Sequence, residues 1–312
     1  MKPGMNKRIR SYLLLLLAAM IWGAAFVAQS EGMDHMQPLS FNGMRMILAG
    51  LALLIVVRVS DRKKPENKPG TPLQKKRQLK AELLCALCLF LATNAQQMGL
   101  QTTQPGKAGF ITALYVVLVP VAYLLVFRRS AGWPVRIGVV LAVCGLWLLC
   151  WNPEEKGISA GDLLTAVCAI CFTVHIMVID HYSPLVDPVR LSCGQFLIAG
   201  ILSVLLSCFT ETITWDGIRG SLIPMLYAGL LSGAVGFTLQ IIGQKDADPT
   251  VASLIMCLES VFAVLFGALI AGETMSGREA LGCILMFVAV ILAQLSPVIC
   301  GKLFRKEEGQ SS

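Results

Sequence analysis

Apolar residues fill long runs of this chain, and polar residues gather between them. Ten runs each approach the ~20 apolar residues that a helix needs to cross the hydrocarbon of a bilayer. Proline, glycine, asparagine and charged residues punctuate the gaps. The pattern predicts an all-α integral membrane protein with ten transmembrane helices. The predicted spans are 11–30, 39–59, 81–101, 108–127, 133–151, 160–181, 190–209, 219–241, 250–271 and 279–299.

The second half of the chain repeats the first. Shifted by 144 residues, the segment 96–148 aligns with 240–292 without a gap. Earlier parts of each half align at an offset of 150. Five spans per half is an odd number, so the halves have opposite orientations and form an inverted repeat, as in many transporters. The aligned pairs include Gln96 with Gln240, Gly99 with Gly243, Pro105 with Pro249, Pro38 with Pro188, and Trp22 with Phe172.

Composition agrees with a membrane protein. Hydrophobic residues make up 55% of the chain, charged residues make up 14%, and the mean hydropathy is +0.69. These values exclude an ordinary soluble domain. We therefore predict a first repeat over 11–151 with spans 1–5, and a second over 160–299 with spans 6–10. A basic loop over 60–80 and a tail over 300–312 complete the chain.

The basic residues predict the orientation. Most of the 26 lysines and arginines fall at the N-terminus, in the loop 60–80, or at other ends on the same side of the bilayer. The positive-inside rule places that side, with both termini, in the cytoplasm of a plasma or inner membrane. The net charge of +7 then reports orientation and contact with anionic lipid, and we expect no nucleic-acid partner.

Eleven cysteines do not indicate a metal or redox centre. The two pairs with Cys-x-x-Cys spacing, Cys85/Cys88 and Cys168/Cys171, lie inside apolar runs, where cysteine behaves as a small hydrophobic residue. The chain contains no nucleophile-elbow, phosphate-loop or zinc-protease motif. We therefore expect neither an enzyme nor a cofactor, and we assign no catalytic or metal-binding residue.

Two charged residues lie well away from the ends of predicted spans, and a charge costs about 2.5–3.5 kcal/mol at helix centre. Glu259 lies near the middle of the ninth span and suits a proton carrier or an anchor for an amine. Arg45 lies in the second span and suits an anionic group or a pairing with Glu259. The alternatives are a carboxyl group that only links helices and an arginine that reaches back to the interface.

Amide and aromatic residues supply the other candidates. Asn94 and Gln97 share a face of the third span, and Gln240 lies on the eighth, its partner in the repeat. These faces predict a polar cavity between the halves, with plain helix-helix hydrogen bonding as the alternative. The remaining candidates for the substrate or ion pathway are Trp22, Tyr115 and His175.

The order of several short segments resembles the EamA-type transporters of the drug/metabolite transporter superfamily. The matching segments span about 12–297: Ile21 to Phe26, Pro38 followed by Arg45, Ala108 to Pro120, Ala252 to Leu254, Leu258 to Ala263, and Gly272-Glu273. The resemblance implies ten helices in two inverted repeats around a central cavity. It also implies export of small metabolites, amino-acid-like or amphipathic, by alternating access.

The expected partners are a small-molecule substrate and the lipid bilayer, and a homodimer is left open. An alternative function uses the same scaffold without solute transport. It would be a membrane-embedded binding, regulatory or lipid-handling protein. The placement of the buried polar residues distinguishes a transporter from a scaffold without transport, because a transporter needs these residues around one cavity.

Overall fold

A computed structural model describes residues 5–63, 70–103, 105–128, 131–150, 158–270 and 276–308. These residues form helices joined by short turns, with no strand among them. Part of the predicted loop over 60–80, the end of the tail, and Gly272-Glu273 lie outside the described residues. In the first half the helices are α1 (Met5–Met33), α2 (Pro38–Lys63), α3 (Pro72–Gly99), α4 (Pro105–Ala113), α5 (Tyr115–Phe127) and α6 (Trp133–Cys150).

The second half has more segments. They are α7 (Ala160–Tyr182), α8 (Pro188–Thr210), α9 (Trp215–Gly220), α10 (Leu222–Leu226), a π-helical segment (Tyr227–Phe237), α11 (Thr238–Gln244), α12 (Pro249–Met256), α13 (Glu259–Ile270) and α14 (Gly277–Glu308).

Helix length and hydropathy agree with a multi-pass membrane protein. Within the described ranges, seven helical segments are long and apolar enough to cross a bilayer, and the shorter apolar helices 133–148 and 249–263 accompany them. The eighth predicted span is a composite of α10, the π-helical segment and α11. It begins at Leu222, because 215–220 forms the separate helix α9.

The fourth and ninth spans are each interrupted, at equivalent positions of the repeat. Leu114 separates α4 from α5, and Cys257-Leu258 separates α12 from α13. At both places a backbone amide donates to the carbonyl oxygen three residues earlier instead of four, as Leu114 does to Ile111 and Leu258 does to Ile255. Such a tightened turn inside a long helix often marks a hinge or a functional position. Tyr115 and Glu259, the residues that follow each interruption, are repeat partners at the 144-residue offset.

Contacts between the halves follow an internal two-fold relation. A Cβ atom on Gly50 would lie 2.6 Å from the Leu197 side chain, and one on Gly200 would lie 2.8 Å from the backbone nitrogen of Ile47. Gly50 and Gly200 are repeat partners, as are Ile47 and Leu197. Helices α2 and α8 therefore cross closely at two equivalent glycines.

The same relation holds between α6 and α14. A Cβ atom on Gly138 would lie 2.9 Å from the Ala289 carbonyl oxygen, and one on Gly145 would lie 2.9 Å from the Gly282 carbonyl oxygen. At the offset of 144, Gly138 corresponds to Gly282 and Gly145 corresponds to Ala289, so the repeat relation converts each contact into the other. The self-match in the sequence thus corresponds to an exchange of contacts between the two halves.

Acidic residues at the ends of α2 and α8 hold the start of the opposite helix. Asp61 forms a salt bridge with Arg190 near the start of α8. Its repeat partner Glu211 accepts hydrogen bonds from the backbone nitrogens of Leu39 (2.8 Å) and Ser40 (2.7 Å) at the start of α2. A carboxylate satisfies the unpaired amides and complements the dipole at a helix start. These two carboxylate contacts lie at opposite ends of the α2–α8 pair.

Candidate functional site

A central cavity lies between the two halves of the molecule. It encloses about 590 Å³ of empty space, counting the open solvent at its mouth. Both repeats contribute to its wall, and five of the lining pairs are repeat partners. Those pairs are Trp22 with Phe172, Thr93 with Phe237, Gln96 with Gln240, Thr112 with Met256, and Tyr115 with Glu259. The cavity therefore straddles the internal two-fold axis.

Tyr115 and Glu259 meet across that axis. The Tyr115 hydroxyl group donates a hydrogen bond of 3.4 Å to the Glu259 Oε1 atom. Both residues are buried, with exposures of 4% and 7%, yet both line the cavity. The interrupted spans bring them there, because each stands at the first position after its interruption. Their hydrogen bond is long, so it leaves most of the carboxyl group's bonding capacity to a ligand.

Arg45 lines the same cavity from α2. Its Nε atom donates to the Asn42 side-chain oxygen at 3.0 Å. Asn42 in turn donates to the side-chain oxygen of Asn94 at 2.7 Å and to Thr93 at 3.0 Å. Among the described residues, neither Arg45 nor Glu259 takes part in a salt bridge. The pairing of Arg45 with Glu259 that the sequence left open is thus not formed, and both charged groups face the cavity.

Three glutamines add amide groups to the wall. Gln96 donates to the Thr112 hydroxyl group at 3.3 Å. The side-chain oxygens of Gln29 and Gln240 are buried and have no hydrogen-bond partner among the described residues. A buried acceptor without a partner is costly, and a bound ligand that donates hydrogen bonds removes that cost.

Trp22 anchors the aromatic part of the wall. Its indole nitrogen donates to the Ser232 carbonyl oxygen at 3.2 Å, inside the π-helical segment. Its ring lies 4.8 Å from that of Phe237, measured between centroids. Phe172 also lines the cavity, so together with the Tyr115 phenol four aromatic rings face a space that carries two charged groups.

Three predicted residues lie outside the wall. Asn94 holds Asn42 and donates to the Ser203 hydroxyl group at 2.7 Å, so it supports Arg45 indirectly. Gln97 is fully buried and donates to the Gln29 carbonyl oxygen at 3.4 Å. His175 is fully buried and lies 2.9 Å from the Gln195 side-chain oxygen. Roles for these three in a pathway stay predictions.

Reasoning from the sequence missed several lining residues. The most informative is Gln96, which faces the cavity where Gln97 had been expected. Neighbouring residues on a helix point about 100° apart, so a one-residue choice decides which side chain faces the ligand. The repeat held the signal, because Gln96 aligns with the identical Gln240 and Phe172 aligns with Trp22.

The chemistry of the wall suits binding. It combines one cation, one carboxyl group, amides and aromatic rings in a space enclosed by helices from both repeats. Across the described residues, no group of three histidine, cysteine or acidic side chains lies close enough to hold a metal ion. A multi-pass helical fold with such a cavity between inverted repeats defines the class of membrane transporters.

Comparison with known proteins identifies the family. The EamA-like transporter family matches residues 9–151 and again residues 159–295. The chain therefore belongs to the EamA-like transporter family, and the resemblance seen in the sequence is confirmed. It is a multi-pass membrane transporter rather than an enzyme, and its partners include a small-molecule substrate and membrane lipid.

Individual relatives agree over most of their lengths. An uncharacterised transporter of Archaeoglobus fulgidus is 31% identical over 93% of this chain and 87% of its own. The uncharacterised inner membrane transporter YedA of Escherichia coli is 24% identical over 88% of this chain and 87% of its own. A solved crystal structure superposes with a TM-score of 0.77 at 17% identity, covering 91% of this chain and 96% of that one, which supports the fold.

Proposed function

We propose that this transporter exports small metabolites that carry both an ammonium and a carboxylate group. The substrate occupies the central cavity between the repeats 11–151 and 160–299. The observation that carries this proposal is the pair of opposite charges, Arg45 and Glu259, which line one cavity without a salt bridge to any described residue.

The two charges suit the two ends of a zwitterion. The Arg45 guanidinium group offers a planar set of donors that matches a carboxylate. The Glu259 carboxylate offers acceptors for an ammonium group, and the nearby Trp22 ring attracts the same cation through its face. The unpartnered oxygens of Gln29 and Gln240 accept the remaining ammonium hydrogens. Each charge then stays paired while it is buried, which lowers the cost of desolvation.

The aromatic residues suit an apolar substituent on the same molecule. Phe172 and Phe237 face the cavity beside Trp22 and provide a surface without hydrogen-bonding groups. Small amphipathic amino acids and related amines carry such a substituent. The wall of the cavity favours them over inorganic ions, which would leave the aromatic surface in contact with a charged group.

Alternating access and export are part of the proposal. The interruptions at Leu114 and Leu258 supply equivalent hinge positions in the two repeats, and rocking around them would expose the cavity to one face at a time. The basic helix ends support a cytoplasmic location for both termini in a cell membrane. An energy-coupled exporter then loads from the cytoplasmic face, and Glu259 is the candidate for proton coupling.

Flux measurements test this proposal. Purified protein in liposomes should exchange a radiolabelled zwitterionic amino acid with a branched or aromatic side chain. The methyl ester and the N-acetyl derivative of the same compound each lack one charge and should compete at least about tenfold less well, because one buried charge loses its partner. Equal competition by all three compounds would reject the zwitterion. Absence of flux across a broad metabolite panel would favour the scaffold without solute transport.

A further inference from the structure

A second cavity opens at one face of the molecule. It encloses about 840 Å³ of empty space, counting open solvent. Helix ends from both repeats surround it. We call their side of the molecule the basic face, because it is the side on which the sequence places the N-terminus and most lysines and arginines. The basic face is where α1 and α12 begin and where α5, α7 and α11 end. The lining of the cavity includes Arg8, Tyr123, Asp180, Lys245 and Thr250 at these helix ends.

The two cavities lie in sequence along the same helices. On α7, Ile176 lines the central cavity and Asp180 lines the second, one helical turn or about 6 Å further along. On α5, Tyr115 and Tyr123 are two turns apart, or about 12 Å. Helices α1 and α12 likewise contribute to both walls, and Lys245 in the second wall directly follows α11, which contributes Gln240 to the first.

A layer of apolar side chains separates the cavities. Leu15, Val119 and Leu254 are fully buried, belong to one hydrophobic cluster, and lie between the two sets of lining residues along their helices. Apolar packing closes a passage to polar solutes without blocking later movement of the helices. The second cavity therefore has the position of a closed mouth of the central one.

A hydrogen bond joins the two repeats at the rim of this mouth. The Tyr123 hydroxyl group, on α5, donates to the Asp180 Oδ2 atom, on α7, at 2.5 Å. A hydrogen bond to a charged acceptor is stronger than one between neutral groups. The bond ties the end of the fourth span to the end of the sixth.

The repeat-equivalent pair of residues at the opposite face cannot form this hydrogen bond. The partner of Asp180 at the offset of 150 is Ser30, and the partner of Tyr123 at the offset of 144 is Gly267. Glycine has no side chain, so this pair cannot form the same hydrogen bond. The inverted repeat is therefore asymmetric at the place where each half would close one end of the pathway.

The helix contact next to the bond is also looser than its partner. Thr173 on α7 and Leu118 on α5 border an apolar groove. Their repeat partners, Gly23 and Phe262, are so close that a Cβ atom on Gly23 would lie 2.6 Å from the Phe262 Cβ atom. A loosely packed interface with a hydrogen bond at its end can open more readily than one packed tightly in the middle.

We propose that the second cavity is the basic-face mouth of the transport pathway and that the bond between Tyr123 and Asp180 is the latch that holds it shut. The latch deepens the proposed function, because it rests on alternating access through the central cavity. Breaking the bond shifts the protein towards a state in which the central cavity opens to the basic face. At the opposite face, the repeat-equivalent residues Ser30 and Gly267 cannot form this hydrogen bond, so this latch acts on the basic face.

Sided chemical labelling tests the latch. A Gln96→Cys reporter in the central cavity is placed in protein whose other cysteines are replaced, and a membrane-impermeant maleimide is applied to either face of oriented vesicles. We expect Tyr123→Phe and Asp180→Ala to raise labelling from the basic face at least about fivefold and to lower it from the opposite face, since the hydrogen bond between the two residues is lost.

Two further variants serve as matched controls. Asp180→Asn keeps an acceptor for the tyrosine hydroxyl group and should stay within about twofold of the unmodified reporter, because the neutral bond contributes less but is retained. Ser30→Ala, at the repeat-equivalent position, should change labelling from neither face. Unchanged labelling in both Tyr123→Phe and Asp180→Ala would overturn the latch. An equal rise from both faces would also overturn it, because that result indicates a general loss of packing.

The labelling experiment does not depend on the proposed substrate. A sided shift in protein that shows no flux would support the latch and reject the zwitterion exporter. Substrate flux without a sided shift would support the exporter and reject the latch. Thermal unfolding of each variant in detergent identifies any that is misfolded. If Asp180→Ala is misfolded, the test compares Tyr123→Phe with Asp180→Asn, and labelling from the basic face should rise only in Tyr123→Phe.

Discussion

The fourth and ninth spans occupy equivalent places in the two repeats, yet they bring different chemistry to the cavity. Both are interrupted at the same repeat position, and both present the next side chain to the internal axis. That side chain is the phenol of Tyr115 in one half and the carboxyl group of Glu259 in the other. In the proposed mechanism, the symmetry that the backbone has kept makes the two alternating states similar in energy. The side chains have lost that symmetry, as the proposed substrate with two different ends requires.

The largest effect should follow from making the two spans equally uncharged. Glu259→Gln keeps the shape of the side chain and removes the charge that faces the ammonium group. We expect initial flux of a zwitterionic substrate in liposomes to fall roughly hundredfold, because one charge of a buried pair loses its partner. Unfolding temperature serves as the control and should not fall. Flux within twofold of the unmodified protein would show that the carboxyl group only links helices.

A smaller effect is expected on the cationic side. Arg45→Lys keeps the charge but loses the planar donor set and the bond to Asn42. We expect the KM for the zwitterion to rise about tenfold, because bidentate recognition of the carboxylate is lost. The KM for the methyl ester should change much less. Equal changes for both compounds would place Arg45 outside the carboxylate-binding part of the wall.

Helix packing offers a matched pair of positions in the two halves. Gly23→Ala introduces a Cβ atom 2.8 Å from the Glu259 carbonyl oxygen. Overpacking of this kind should lower the free energy of unfolding by at least about 1 kcal/mol. The repeat-equivalent Thr173→Ala removes a methyl group and a hydroxyl group that bonds within its own helix, introduces no clash, and should cost less. Thermal unfolding in detergent compares the two, and a larger loss at Thr173 would contradict the tight packing at Gly23.

The smallest effect should come from Tyr115→Phe. The change removes only the 3.4 Å hydrogen bond to Glu259. A bond of that length contributes little, so we expect flux to change by no more than about threefold. Initial rates of flux measured for Tyr115→Phe and Glu259→Gln in parallel show whether the two residues at the axis differ in function as they differ in sequence. A loss as large as that of Glu259→Gln would mean that the phenol and the carboxyl group act as one unit.

Much of the fold could be predicted from the sequence, because long apolar runs and the two offsets constrain it strongly. The pairing of Tyr115 with Glu259 in the repeat was visible as an alignment. Their contact was not, since an alignment does not say which residues lie on the symmetry axis. The π-helical segment was also not predicted, because its glycines are equally consistent with close packing of a regular helix.

The site was predicted less completely than the fold. Glu259, Arg45, Gln240, Tyr115 and Trp22 line the cavity, as a search for costly residues in lipid suggests. That search does not separate a polar residue that faces a cavity from one that holds helices together. Asn94, Gln97 and His175 are equally polar, yet their partners are other protein groups. Helix rotation decides the difference, and tertiary packing sets that rotation.

The most direct test of a shared site between the repeats is substrate protection at two equivalent positions. Gln96→Cys and Gln240→Cys place a reporter on the cavity wall from each half. If one substrate occupies the axis, a transported zwitterion should slow thiol labelling at both positions with the same half-maximal concentration. Protection at one position only, or at neither, would contradict a binding site shared by the two repeats.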